Sequence, residues 1–353
     1  MKRQLLKVLF VCMAVFFLPQ VAHAAGDVEI NAKNFPDDNF RNWLLKQDYG
    51  KDGVLSEEEI KDIKNLNVSR VRISSLQGIE HFTALTSMDC SYNRLTSLDV
   101  SKNTELTTLE CSNYCLTSLN VSGCIALVGL FCTNTQLTAL DVSGHTALVA
   151  LSCFENYNLT TLNVSGCTAL SSLTCAATQL TSLDASGCSA LTSLDCICNQ
   201  LTSLNVSGCT ALTKLHCRDN QLTTLDVSEC IALTELECYG NQIKGDSMDS
   251  FINSLPIKDR LYNLYAYSSL SSNEGNVCTK EQVQAAKERG WRVMYKRDDI
   301  WQEYEGSDDT SSVTNDIRTE TYKDAPVYNL RGQRLTAPQK GINIIGGRKV
   351  IMK

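Results

Sequence analysis

Ala-Leu-Thr-Ser-Met-Asp-Cys (Ala84 to Cys90), Ala-Leu-Thr-Ser-Leu-Asp-Cys (Ala190 to Cys196) and Ala-Leu-Thr-Glu-Leu-Glu-Cys (Ala232 to Cys238) are one phrase used three times. A second phrase, Leu-Thr-Ser-Leu-Asp-Val-Ser (Leu95 to Ser101), returns at Leu201 to Ser207 with Asn205, and at Leu222 to Ser228 with Thr224 and Asp226. Between Ala84 and Asn241 the period is 21 residues, with one repeat of 22. So short and strict a period predicts a solenoid, in which each coil buries its apolar face only against its neighbours. Each repeat contains two halves of the form Leu-x-x-Leu-x-[Cys/Val], the first ending at residues such as Cys90 and the second at residues such as Val100. Alternation at each half's end predicts a short strand with one face inward. Two strands per coil leave no length for a helix. The chain is therefore expected to be α/β but predominantly β: a solenoid over 84–245 with two short strands per coil, between a small helical N-terminal cap and an α/β C-terminal cap.

The repeats also place the cysteines. Cys90, Cys111, Cys132, Cys153, Cys175, Cys196, Cys217 and Cys238 take a position that should point inward. Cys124, Cys167, Cys188, Cys209 and Cys230 form a second row, in which Asn103 and His145 substitute. Equivalent residues of stacked parallel strands lie about 4.8 Å apart and point the same way, whereas disulfides want Cβ atoms about 3.8 Å apart on offset chains. Both rows read as buried thiols acting as small hydrophobes. A uniform ladder offers no four-ligand metal cluster, and Cys196-Ile197-Cys198 alone is a weak signal. The turn after the first strand favours Asn, at Asn93, Asn156, Asn199, Asn220 and Asn241, with Tyr114, Thr135 and Thr178 in its place elsewhere. The second strand alternates Asp99, Asn120, Asp141, Asn163, Asp184, Asn205, Asp226. Interleaved amides relieve the repulsion of stacked carboxylates, roughly 1 kcal/mol per neighbour even in water.

Residues 1–24 read as a secretory signal: Lys2, Arg3 and Lys7, an apolar run to Leu18, then Ala22-His23-Ala24. Its removal takes away three basic and no acidic residues and moves the formal charge from −7 to −10. So acidic a protein is not expected to bind nucleic acid, and no later segment has the roughly 20 apolar residues of a membrane span.

Residues 25–83 form the N-terminal cap and a first partial coil. Asp48-Tyr-Gly-Lys-Asp52-Gly53-Val54-Leu-Ser56-Glu-Glu-Glu59 has the layout of a calcium loop. Calcium would be held by Asp48, Asp52, Ser56 and Glu59 with the Val54 carbonyl. Gly50 departs from the pattern, since the third position usually supplies a ligand. The alternative is a helix–turn–helix that keeps only the turn. Residues 246–305 read as the C-terminal cap, with helices near 248–255 and 279–290, strands near 261–267 and 291–295, and Trp291 and Trp301 covering the last coil. Residues 306–325 are a polar linker, and 326–353 a basic β tail with a final hairpin.

The pattern Leu-x-x-Leu-x-Cys-x-x-Asn-x-Leu-x-x-Leu-Asp-Val resembles the leucine-rich repeats, in particular the irregular 21-residue bacterial class. The cap resembles the EF-hand-like cap of secreted bacterial proteins of that kind. The tail resembles the end of sorting domains read by the type IX secretion system. These resemblances imply a secreted or cell-surface binding protein, adhesin-like and without catalytic activity, whose partner is a protein or a glycan. They also imply contact with secretion machinery, or outer-membrane attachment, through the tail. A structural spacer or a hydrolase with an unrecognised site is the alternative. His81, His145 and His216 sit at no motif spacing from a nucleophile, which argues against an enzyme. The residues flanking each first-row cysteine point outward on one face. They vary from coil to coil while the core does not. Phe131, Phe154, Ile197, His216, Arg218 and Tyr239 among them have the composition of a binding surface.

Overall fold

The structure is a computed structural model that describes residues 26–308 and, further on, the strand segments 327–328, 334–335, 341–345 and 348–352. The expected signal lies outside the described residues, as does most of the linker. The repeats form the leucine-rich-repeat solenoid that the sequence implies. Eight coils, numbered here by their first-row cysteines Cys90 to Cys238, stack in register. Each contributes one three-residue strand to a parallel run that dominates a 12-stranded sheet. The run starts at Asn65–Asn67 and continues through Ser87–Asp89 to Glu235–Glu237. It then takes up Tyr262–Ser268, Trp291–Arg297 and, antiparallel, Ile300–Glu303.

The second strands behave differently. They bond two by two, Ser97–Asp99 with Ser118–Asn120, Ala139–Asp141 with Thr161–Asn163, and Ser182–Asp184 with Ser203–Asn205. Each pair sets an Asp against the Asn of the following coil, so the alternation in sequence becomes a two-coil repeat in space. Each carboxylate or amide oxygen also caps its own turn, as when Asp99 and Asp141 accept the Ser101 and Ser143 N–H at 2.9 Å. Those backbone bonds, with weaker help from the neighbouring amides, hold both carboxyls below their ordinary range.

First-row cysteines fill the core beside the leucines, with no exposure at Cys90, Cys111, Cys132, Cys153, Cys175, Cys196, Cys217 and Cys238. All sixteen described cysteines are unpaired, and burial pushes thiols such as Cys132 and Cys217 up to about 12. The second row does more than fill space. Cys124, Cys167 and Cys209 direct their thiols at Val100, Val142 and Ala185 carbonyls in the preceding coil, at 3.0, 3.1 and 3.3 Å. The substitutes keep that role. Asn103 donates to the Ile79 and Phe82 carbonyls, and the His145 ring lies between those of Val142 and Val121. A position that must satisfy a buried carbonyl accepts Cys, Asn or His but not a larger hydrocarbon.

The Asn ladder works the same way: Asn220 Nδ2 donates to Cys217 O and to Cys196 O one coil back, while its Oδ1 accepts the Leu201 N–H. One expectation is corrected. In coil 2 the ladder residue is Asn113, fully buried, and not Tyr114, which is 57% exposed. Asn113 Oδ1 accepts the Asn93 N–H at 2.7 Å, so the amide arrives one residue early. Coil 2 accordingly lacks the left-handed residue that precedes the ladder at Tyr92, Asn134, Glu155, Ala177, Cys198, Asp219 and Gly240. The ladder also runs on into the C-terminal cap, where Asn276 donates to Cys238 O and Ala266 O.

The N-terminal cap holds helices α1 (Asp38–Leu44) and α2 (Glu57–Asp62), with the strand Val28–Glu29 antiparallel to Val54–Leu55. Phe35, Phe40 and Phe82, all fully buried, close the first coil. The Asp37 carboxylate caps α1 and also takes the Ser74 and Ser75 N–H, tying cap to solenoid. The C-terminal cap packs α3 (Asp246–Ser254) and α4 (Lys280–Glu288) on the far end, with Trp291 buried and its indole donating to Pro256 O. Trp301 does not cover the coil; its ring lies against Tyr239 and Tyr265 on the outward face. Ordered contacts pass residue 305, since Ser307 bridges Thr279 and Lys280 pairs with Asp308. In the tail the strands Gly341–Ile345 and Arg348–Met352 pair antiparallel within a four-stranded sheet.

Candidate interaction surface

Outward residues of the long sheet stand in rows, one per coil, because every strand is in register with the next. Phe131 ends its strand opposite Ser152, and Phe154 lies two residues past Ser152, in the turn of the adjacent coil. Phe131 is laid down rather than standing up. A Cβ at Gly129 would meet its ring at 3.0 Å, so the ring rests over the one outward position of that strand that has no side chain. In the same two coils, just ahead of the strands, Val128 and Val149 are 44% and 38% exposed, and just after the strand of coil 4 Phe154 is 38% exposed. The two valines interrupt a column of threonines whose hydroxyls otherwise bond the preceding coil, as Thr107 does to Thr86 O and Thr213 to Thr192 O. Coils 3 and 4 thus give up those hydrogen bonds for apolar surface. Glu110 lies directly across from Phe131, and Glu155 follows Phe154.

Farther along the same face, the candidate residues are engaged with one another. His216 Nε2 meets Glu235 Oε1 at 3.0 Å, and Lys214 meets the same carboxylate at 3.2 Å. Burial opposes it, but those bonds hold the Glu235 carboxyl below its ordinary value. Arg218 bonds Glu237 and Asp219 at 3.1 and 2.9 Å and lies 5.5 Å from the Tyr239 ring centre. Trp301 completes the cluster, 5.5 Å from Tyr239 and 4.6 Å from Tyr265, with Lys296 above it. Asp219 continues into the cap through the Ser271 hydroxyl. Nearby, half-buried Glu274 takes the N–H groups of Gly240, Ser268 and Asn276, while desolvation raises its carboxyl to about 7. Ile197 stands half-buried on coil 6, between the two groups. The six candidates therefore form two regions and not one. Tyr265 and Trp301 were missed because they lie outside the repeat, where no period marks them.

The calcium-loop residues do not converge. Asp48 pairs with Lys51, Asp52 accepts the Val54 N–H, and Glu59 takes both the Ser56 N–H and hydroxyl as a capping box for α2. Gly50 is buried, and a Cβ there would strike Leu44 O at 2.2 Å. The third position therefore has no room for a ligand side chain. In this conformation the residues fit a capped turn and not a calcium cage.

No family model matches the chain. Internalin J of Listeria monocytogenes serotype 4b is 38% identical over 81 residues, which are 23% of this chain and 9% of that protein. The solved functional domain of internalin J, described as including a cysteine ladder, aligns over 76% of this chain and 61% of its own, at 26% identity and a TM-score of 0.48. A leucine-rich-repeat protein of Leptospira interrogans aligns over 67% and 73%, at 17% identity and a TM-score of 0.41. The chain thus matches less than two thirds of the length of either internalin J form. No helix among the described residues is long and apolar enough to cross a membrane.

Proposed function

We propose that this chain is an exported bacterial binding scaffold of the adhesin type, which holds a protein partner on the outward face of coils 3 and 4. The observation that carries the reading is the patch of Phe131, laid over Gly129, with Phe154, Val128 and Val149. Exposed apolar surface of this kind costs solubility unless something covers it, and here it replaces hydrogen bonds that the other coils keep. Glu110 and Glu155 border it, so the matching partner presents apolar side chains flanked by Lys or Arg. The histidines support a non-catalytic role: His145 faces two backbone carbonyls and His216 a carboxylate, not a nucleophile. The strands of residues 327–352 act as the export or attachment signal that their resemblance implies.

The test is capture of host-surface proteins by immobilised chain, run beside a glycan array. Phe131→Ala with Phe154→Ala should weaken capture of the bound protein at least about tenfold, since buried aromatic anchors contribute on the order of 2 kcal/mol each. The melting temperature should stay unchanged. Undiminished capture, or binding confined to the glycans, refutes the reading.

A further inference from the structure

His216, Glu235 and Glu237 bring one ligand atom each within 4.8 Å of one another, and all three side chains are half-buried. The sheet enforces this meeting. His216 lies directly across from Glu237 in the parallel register, and Glu235 stands two residues earlier on the same strand, hence on the same face. Both carboxylates are steadied from outside: Lys214 reaches Glu235 through Oε2, and Arg218 reaches Glu237 through Oε2. Outer partners of this kind orient metal ligands and do not themselves coordinate. Two cations here face four carboxylates, because Asp219 shares Arg218 and Asp195 lies across from His216 on the other side. A net negative charge is left for a cation to balance.

We propose that His216 Nε2 with one oxygen each of Glu235 and Glu237 binds a divalent first-row ion of the zinc class. One imidazole and two carboxylates are the donor set such an ion accepts, with the fourth position open to water. Tetrahedral bonds of about 2.0–2.2 Å place ligand atoms about 3.5 Å apart. His216 Nε2 and Glu235 Oε1, 3.0 Å apart, would open by about 0.5 Å and Glu237 would close in by up to roughly 1 Å, within reach of rotation about their own bonds, while the strands stay fixed. Magnesium and calcium, which want six or more oxygens, do not suit it.

The test is calorimetric titration of zinc chloride into the metal-stripped full chain at neutral pH. Cys115 and Cys198 are exposed thiols and rival zinc ligands, so the titration is repeated with Cys115→Ser and Cys198→Ser. One site is expected, retained in the thiol variant and weakened at least tenfold by His216→Ala and by Glu237→Gln. Zinc should raise the melting temperature of the parent and not of His216→Ala, and tenfold excess calcium or magnesium should not compete. Absence of zinc binding by the parent overturns the site. So does loss with the thiol variant alone, or equal binding by His216→Ala and Glu237→Gln. Circular dichroism of both site variants separates lost ligands from lost fold.

Discussion

Coils 3 and 4 and coils 7 and 8 share one core and one backbone, yet their outward rows do opposite things. In the first pair, Phe131 and Phe154 are joined by Val128 and Val149, and the two valines stand in place of threonines that bond the preceding coil. In the second, His216, Arg218 and Tyr239 are committed to Glu235, Glu237, Asp219 and Trp301. A partner landing on coils 3 and 4 covers apolar surface at little desolvation cost. One landing on coils 7 and 8 must strip water from charges that already satisfy each other. Residue type alone does not make a hot spot; the state of its hydrogen bonds decides.

The contrast can be broken most directly at Arg218. Its ion pairs are about a quarter exposed on each side. Arg218→Ala leaves Glu237 and Asp219 without it and should cost about 1–2 kcal/mol, a fall of roughly 3–6 °C in melting temperature. Partner capture should change less than about threefold. The paired phenylalanine variant should give the reverse pattern, and a tenfold loss of capture from Arg218→Ala would merge the two regions into one site.

A control for the patch lies on the opposite side of the same coils. Asn163 pairs with Asp141 across the second strands. Asn163→Asp sets two carboxylates about 4.8 Å apart. Backbone bonds hold the Asp141 carboxyl below its ordinary value, and the added like charge pushes it back up, so the repulsion is present in full at pH 7 and fades as the carboxyls take up protons toward pH 3. Denaturant unfolding should show a loss of about 1 kcal/mol at pH 7 and little at pH 3, with capture intact. Equal losses at both pH values would remove the charge argument. Lost capture would mean that the patch depends on overall stability and not on its own side chains.

The smallest effect is expected at the N-terminal cap, remote in sequence from both regions. With Glu59 closing the capping box and Gly50 admitting no ligand, millimolar calcium added to metal-stripped protein should move the melting temperature by less than about 1 °C. By mass action, a shift of several degrees requires a real site. It would mean that the loop opens its capping box to bind.

The period, the inward rows and the strand positions were legible in the sequence because each depends on neighbours within one coil. A two-residue alternation sets which side chains point inward whatever lies above or below. The capping box at Thr279 is equally local, closed within three residues, whereas Ser56 and Glu59, read from the sequence as calcium ligands, turn out to close a capping box of their own. What only the tertiary structure decided are contacts between coils, where partners lie about twenty or more residues apart: Asn113 and not Tyr114 in the ladder, Asn276 extending it, and the second strands joined in twos. Trp301 on the outward face, the donor role of the second-row cysteines, and the division of six candidate residues into an apolar patch and an ion-paired cluster belong with these. Each turns on which atom reaches which at about 3 Å, and a repeat phrase fixes the row a side chain occupies but not the hand it takes from the row beside it.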